Sequence, residues 1–136
     1  MPDCLFCRIV SKEIPAEIVY EDEATLAFID IRPTAPGHVL VIPKQHSDGL
    51  HDADPVVLGA VIRTVQRLAR VLMQALEVEG FNVIQNNGSV ANQAIPHLHF
   101  HIIPRREGDG LESWHGKVYA EGEREKMGER VRKFLS

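Results

Sequence analysis

Residues 97–103 read HLHFHII, and this stretch carries the strongest information on both fold and chemistry. Side chains alternate between the two faces of a β-strand, so the pattern predicts a strand with an apolar face and a histidine face. Packing alone does not explain three histidines on one face, because buried neutral imidazoles need partners and cationic ones repel each other. The expected core face holds Leu98, Phe100 and Ile102, and the opposite face holds His97, His99 and His101, each about 6.6–7 Å from the next.

Two kinds of chemistry use such a histidine face. Several imidazoles can hold a metal ion whose open coordination position activates water. Alternatively, a ring nitrogen attacks phosphorus while a neighbouring histidine protonates the leaving group. Since the ordinary histidine pKa is about 6.5, a free imidazole is mostly neutral at pH 7 and can act as a nucleophile. The strand alone leaves both readings open.

The remaining periodicity predicts an α+β domain. The order is helix, three strands, long helix, two strands, helix, and this order lacks the one-for-one alternation of a parallel doubly wound sheet. We therefore expect an antiparallel sheet of about five strands with one long and two shorter helices. Asp54 and Pro55 open the long helix as N-cap and first residue, and Gly80 is its expected stop. The expected elements are helices at 5–10, from 55 onward and at 121–135, and strands at 18–20, 25–29, 39–42, 81–85 and 97–103.

Length and composition limit the classes of function. A chain of 136 residues, 44% hydrophobic and 25% charged, predicts a single globular domain over 1–136. The net charge of −4 without a basic block argues against nucleic-acid binding. No apolar run approaches the roughly 20 residues that span a bilayer, so no membrane partner is expected. The N-terminus does not read as a signal peptide and there are only two cysteines, which together predict a cytoplasmic protein.

Three motifs in order resemble the histidine triad (HIT) family. The stretch at 97–103 matches the pattern His-φ-His-φ-His-φ-φ, with φ apolar, at every position. NNGS at 86–89 precedes it, followed by Gln93, and FIDIRP at 28–33 is followed by PGHVLVIPKQH at 36–46. The chain resembles zinc-binding bacterial and archaeal members of the histidine triad nucleotide-binding branch. The resemblance covers about residues 4–104, which leaves 105–136 as a C-terminal extension.

This resemblance implies the HIT-like fold, usually as a homodimer, and a covalent reaction on nucleotides. The implied activity is hydrolysis of purine nucleoside monophosphates linked through a phosphoramidate or phosphoanhydride bond. By position, His99 would be the nucleophile and His101 would help to hold the α-phosphate and leaving group. Gln93 and Asn86 would bond the phosphate and leaving-group oxygens. His38 would be a supporting hydrogen-bond partner near the triad, or else a buried structural histidine.

A nucleoside pocket is also implied by the resemblance. Asp30 would accept hydrogen bonds from the ribose hydroxyls, and it is the member of the set that packing explains least. Apolar side chains would sandwich the base, although residues of this kind form the core of any small domain. The implied apolar set is Leu5, Phe6, Ile9, Ile14, Phe28 and Ile31.

Cys4 and Cys7 form a C-x-x-C pair, which supplies half of a tetrahedral zinc site. A thioredoxin-like redox pair and two unrelated thiols are the alternatives. The resemblance to cysteine-bearing relatives adds His46 and His97 as the other two ligands. Four protein ligands leave no open position, so such a zinc would be structural. No carboxylate cluster suited to Mg²⁺ is evident.

The sequence therefore predicts a nucleotide phosphoramidase or hydrolase that works through a nucleotidyl-His99 intermediate. One alternative is a dinucleoside polyphosphate hydrolase or phosphorylase. Others are a purine nucleotide-binding protein with incidental activity and a zinc hydrolase that uses the three triad histidines as ligands. Two features stand apart from the resemblance. Ala94 replaces a hydroxyl residue of some relatives, and Trp114 lies in an extension that would either reach a partner's site or anchor the tail.

Overall fold

The part of the chain that the structure describes contains three α-helices and one five-stranded sheet. The computed structural model describes residues 3–111 and 116–135, so Trp114 lies outside the described residues. Short 3₁₀ helices occupy Leu50–Asp52 and Ser89–Ala91. The main elements, in order, are α1 Leu5–Val10, β1 Ile18–Glu21, β2 Thr25–Ile29, β3 Val39–Pro43, α2 Pro55–Leu76, β4 Gly80–Ile84, β5 Phe100–Arg105 and α3 Glu123–Leu135.

All strand pairs are antiparallel, and the strand order is β1-β2-β3-β5-β4. β3 is buried along its whole length, as the uninterrupted apolar run VLVIP predicts. β5 lies beside β3, so residues 97–103 enter the middle of the molecule. The α+β architecture with an antiparallel sheet is confirmed.

Each face of the sheet has its own apolar cluster. α2 covers one face, where Leu98, Phe100 and Ile102 pack with alternate residues of β2 and β3. α1 covers part of the other face, where Phe6 and Ile9 pack against Phe28 and neighbours. The expected orientation of the three apolar residues is therefore correct. This arrangement leaves the histidines on the α1 side of the sheet.

Most element boundaries lie within two residues of expectation, and two of the differences have a clear structural reason. α2 ends at Leu76, before Gly80, because Glu77 adopts a left-handed backbone with φ of 53° and caps the helix by donating to the carbonyl of Met73. β5 begins at Phe100, not at His97, because the Leu98 amide donates to the Ser47 carbonyl at 2.8 Å.

The C-terminal helix α3 contains no buried residue. Its apolar side chains recur at helical spacing and form one stripe, as expected from the sequence, yet they are between 42% and 91% exposed. These residues are Met127, Val131, Phe134 and Leu135. Among the described residues, no helix has the length and apolar character needed to cross a membrane.

Candidate functional site

A cavity of about 550 Å³ opens on the α1 side of the sheet. Its volume lies within the usual range of small-molecule sites. The walls are mainly apolar, and the lining residues with charged or imidazole side chains are Asp30, Arg32, His99 and His101. The structure brings together here nine residues singled out from the sequence: Leu5, Phe6, Ile9, Ile14, Phe28, Asp30, Ile31, His99 and His101.

His99 presents a lone pair on Nε2. Its Nδ1 atom lies 2.8 Å from the carbonyl oxygen of His97, and since a carbonyl only accepts, Nδ1 must carry the proton. The edge of the Phe6 ring packs against the imidazole with centroids 5.1 Å apart. Burial lowers the pKa of His99, so the ring is neutral near pH 7. The result is an uncharged, oriented imidazole beside the cavity.

His101 has the opposite arrangement, which is set by His38 and the backbone of Thr34. The Thr34 amide donates to Nδ1 of His38 at 3.0 Å, so a neutral His38 carries its proton on Nε2. That proton is donated to Nδ1 of His101 across 2.9 Å. His101 therefore carries its own proton on Nε2. Burial, reinforced by the nearby histidines, lowers the pKa of His101 to about 4, and burial also lowers the pKa of His38.

Asp30 stands on the cavity wall beside this histidine pair. Its Oδ1 accepts from the Arg32 amide at 2.8 Å, which orients the carboxylate. Its Oδ2 lies 3.6 Å from Nε2 of His38. The side chain is 18% exposed, so a bound ligand can still reach the carboxylate.

Gln93 and Asn86 are not part of the cavity wall. Both ends of the Gln93 side chain bind backbone instead. Its Oε1 accepts from the Gly88 amide at 2.7 Å, and its Nε2 donates to the Asp48 carbonyl at 2.6 Å. The carbonyl of Asn86 accepts from the Gln85 side chain. In this conformation Gln93 therefore joins two loops.

Four metal-binding atoms converge at the other end of the histidine stretch. Cys4 Sγ is 3.3 Å from His97 Nδ1, and Cys7 Sγ is 3.3 Å from His46 Nδ1. The two Nδ1 atoms are 3.2 Å apart, and all four donor atoms lie within 4.8 Å of one another. A tetrahedral zinc site with usual bond lengths has ligand separations of about 3.3–3.8 Å. The cluster is close to that spacing.

The proton positions in this cluster also suit a metal. His97 Nε2 donates to the Pro43 carbonyl at 2.9 Å, and His46 Nε2 donates to Oδ1 of Asp48 at 2.8 Å. Both Nδ1 atoms consequently carry lone pairs that point toward the two sulfurs. Burial lowers the pKa of His97 to about 4, which keeps this ring neutral. Four such donors fit Zn²⁺.

A second group of possible ligands, Asp30, His38 and His101, is less suitable for a metal. A proton occupies the short contact between His38 and His101. Moving that proton to Nδ1 of His38 would set it against the Thr34 amide, which is itself a donor. His97 is directed toward the cysteines, so the three triad imidazoles do not converge on one ion. Zinc therefore fits the cysteine cluster better than the triad.

Two residues of this site, Thr34 and Asp48, were not identified from the sequence. Thr34 acts through its backbone amide, which every residue except proline supplies, so its side chain gives no signal. Asp48 follows His46 by two positions, and its contact depends on the path of the loop. No local pattern could have indicated either role.

Comparison with known proteins places the chain among HIT proteins. The model of the HIT domain matches residues 11–108. An uncharacterized HIT-like protein of Methanocaldococcus jannaschii is 49% identical over 107 residues, which cover 79% of this chain and 82% of that protein. An adenosine 5'-monophosphoramidase of Saccharomyces cerevisiae is 43% identical over 104 residues, which cover 76% of this chain and 63% of the yeast protein.

Solved structures agree with this assignment. A Streptococcus mutans protein superposes with a TM-score of 0.93 at 35% identity, covering 100% of this chain and 87% of its own. A Zn-bound histidine triad family protein of Mycobacterium smegmatis superposes with a TM-score of 0.78 at 39% identity, covering 97% and 92% respectively.

Proposed function

This chain belongs to the HIT domain family, and from that premise we propose that it hydrolyses phosphoramidates and related derivatives of purine nucleoside monophosphates. The observation that carries the proposal is the pair of opposite tautomers at the cavity. His99 offers a lone pair on Nε2 while His101 offers an N–H. A nucleophile and a proton donor thus stand side by side, with ring centroids 4.9 Å apart.

The proposed reaction has two displacement steps. His99 Nε2 attacks the α-phosphorus, an N–P bond forms and the bond to the leaving group breaks. The leaving amine or oxygen takes the proton from Nε2 of His101, and the hydrogen bond from Nε2–H of His38 to Nδ1 stabilises the ring that has lost it. Water then attacks the nucleotidyl-His99 intermediate: its oxygen bonds to phosphorus, the N–P bond breaks to release neutral His99, and one proton of the water returns to Nε2 of His101. The products are the nucleoside monophosphate and the protonated leaving group.

The cavity supports a nucleoside as the bound part of the substrate. Phe6, Phe28 and the branched apolar residues can hold a flat base, and the Asp30 carboxylate can accept from ribose hydroxyls. The similarity to a yeast adenosine 5'-monophosphoramidase supports adenosine as the nucleoside. For Gln93 and Asn86 to bond phosphate or leaving-group oxygens, as the resemblance implies, Gln93 would first have to release its backbone partners.

We further propose that Cys4, Cys7, His46 and His97 hold a structural zinc ion. Zinc would supply a closed link between α1, which carries Phe6, and the segment that leads into β5. The Zn-bound relative of M. smegmatis supports this part of the proposal. Two free thiols in a metal site require a reducing compartment, which supports a cytoplasmic location.

A homodimer is the proposed assembly. β4 is a free edge of the sheet, and its Phe81 and Val83 side chains are 38% and 44% exposed. The apolar stripe of α3 is also uncovered by the rest of the described chain. Exposed apolar surface of this kind marks interaction sites, and a second copy would cover both features.

The deciding experiment incubates wild type and His99→Ala with an adenosine phosphoramidate, without added metal, and follows AMP release. We expect clear turnover by wild type and a loss of several orders of magnitude in the variant, because no other group replaces the nucleophile. His51→Ala is the matched control, since His51 is exposed and outside the cavity. It should retain wild-type activity.

Other outcomes separate the alternatives. A wild type that binds AMP without turnover would be a nucleotide-binding protein. Substantial activity in His99→Ala would exclude the covalent mechanism. A dinucleoside polyphosphate hydrolase would prefer diadenosine polyphosphate over the phosphoramidate, so both substrates are compared.

A further inference from the structure

Asp48 forms hydrogen bonds both to a histidine of the metal-binding cluster and to the loop that leads to the nucleotide cavity. Its side chain is 68% exposed, so burial in a core does not account for its position. The sequence pattern assigns it no role. Its two hydrogen bonds, one through the carboxylate and one through the carbonyl, lead to different sites.

The carboxylate bond is directed to the cluster. Oδ1 of Asp48 accepts the Nε2–H of His46 at 2.8 Å. This contact fixes the proton on Nε2 and the lone pair on Nδ1, which lies 3.3 Å from Cys7 Sγ. Partners of this kind orient metal-bound histidines, and their removal typically lowers metal affinity 10–100-fold.

The carbonyl bond is directed to the loop at 86–96. The Asp48 carbonyl accepts from Nε2 of Gln93, whose Oε1 accepts from the Gly88 amide. The same loop continues into Ala94 and Ile95, which line the nucleotide cavity. One residue thus connects a metal-binding histidine to the wall of the cavity.

Two neighbouring bonds make the connection firmer. The Ser47 carbonyl accepts from the Leu98 amide at 2.8 Å, and the Leu50 amide donates to the Asn87 side chain at 2.7 Å. The segment from His46 to Leu50 is therefore held to the cavity loop at two places and to Leu98, just beyond that loop, at a third. These bonds provide a physical connection between His46 and that loop.

We propose that Asp48 is a positioning residue that links the two sites, so that zinc in the cysteine cluster and a nucleotide in the cavity bind more tightly together than apart. The proposal rests on the proposed function, because it assumes that the cavity takes a nucleotide and the cluster takes zinc. Coupling of this kind is reciprocal: each ligand strengthens the other by the same factor.

The test measures four affinities for each protein. AMP binding is determined by calorimetry with zinc-saturated and zinc-depleted protein, and zinc binding by competition with a chromophoric chelator, with and without AMP. For wild type we expect zinc to tighten AMP binding on the order of tenfold, and AMP to tighten zinc binding by the same factor. For Asp48→Ala we expect zinc affinity to fall about 10–100-fold. When enough zinc is added to saturate the variant, its AMP affinity should be nearly the same with zinc as without zinc.

Two further variants make the result specific. Asp48→Asn keeps an oxygen that can accept from His46, so it should retain most of the coupling. Glu23→Ala removes an exposed carboxylate from the turn between β1 and β2 and should behave as wild type. Unchanged zinc affinity in Asp48→Ala would overturn the positioning role. If zinc affinity falls but zinc still tightens AMP binding by the wild-type factor, Asp48 is not the link between the two sites. His97 would then be the next residue to test as the link.

The failure of this proposal is distinguishable from the failure of the proposed function. AMP and zinc binding are read without turnover, so a protein that binds both ligands but hydrolyses nothing would still give a result. A wild type that binds zinc but no AMP would overturn both the link and the nucleotide function. The chelator competition would still report whether Asp48 orients His46.

Discussion

Nε2 of His38 lies 2.9 Å from Nδ1 of His101, and a single proton is shared between them. That proton belongs to His38, because the Thr34 amide already donates to the other ring nitrogen. A backbone amide outside the histidine stretch therefore determines which nitrogen of His101 carries a proton. The N–H that His101 presents to the cavity therefore depends on the path of the loop between β2 and β3, which contains Thr34.

Replacement of His38 should impair turnover more than substrate binding. His38→Phe removes the donor to His101 and leaves the Thr34 amide without its acceptor, so kcat should fall about 10–100-fold with a smaller change in KM. His38→Gln retains an N–H in a similar position and should recover part of the loss. Nitrogen NMR of His101 would report the tautomer directly. Equal losses in the two variants would contradict the positioning role.

Stability should decrease on the acidic side of neutrality. Burial holds the pKa of His101 at about 4, below its usual 6.5, and lowers that of His38 as well. A depressed folded-state pKa contributes stability above the unfolded value and loses it as pH falls toward the folded value. The free energy of unfolding should thus decline between about pH 6.5 and 4. Urea unfolding of wild type and His101→Asn over this range is the measurement.

The comparison isolates the histidine pair because zinc release affects wild type and His101→Asn alike. The free energy of unfolding of the variant should decline less steeply as the pH falls, since one of the two imidazoles of the His38–His101 pair is gone. If the free energies of unfolding of the two proteins fall in parallel with pH, the histidine pair does not determine the loss of stability in acid.

Asp30→Asn should weaken binding of ribonucleotides. A hydrogen bond to a charged group contributes about 1.5–3 kcal/mol, so AMP affinity should drop roughly ten- to hundredfold. Binding of 2'-deoxy-AMP should change much less, because it lacks one of the hydroxyls. Calorimetry with both nucleotides measures the difference. Equal losses for the two nucleotides would place Asp30 away from the ribose.

Cys4→Ser should affect stability more than catalysis. Cys4 is 5% exposed in the α1 cluster, and zinc bound there contributes directly to folding. A loss of ~3 kcal/mol would lower the melting temperature by about 10 °C in a domain of this size. Turnover below the melting range should stay within a few-fold of wild type. A chelator should lower the melting temperature of wild type but not of the variant, and an unaffected wild type would argue against the zinc site.

Local patterns predict most of the fold. The helix at 5–10 and the strands at 25–29 and 39–42 follow from hydrophobic periodicity and from the prolines and polar turns that bound them. The end of α2 does not, because the left-handed residue there is Glu77 where a glycine would be expected. The start of β5 is likewise hidden, since it depends on a hydrogen bond to Ser47, far away in the chain.

The sequence indicates which types of residue can form the site. It does not indicate the tautomers of the histidines, which depend on where each proton lies. The spacing of the histidines indicates that His97, His99 and His101 share a face. It does not indicate that His97 turns to the cysteines while His101 turns to His38. Those directions come from carbonyls and amides that the fold supplies, and these are the same for nearly every residue type.

Because its apolar stripe is exposed, we expect α3 to unfold and refold locally without disturbing the sheet. A helix of 13 residues is marginally stable on its own in water, and no residue of α3 is buried. In dilute solution its amide hydrogens should exchange with deuterium far faster than those of β3 and β5. Raising the protein concentration should slow the exchange of α3 alone if a second copy covers Val131 and Phe134. The exchange rate of this one segment would then report assembly without any change in the core.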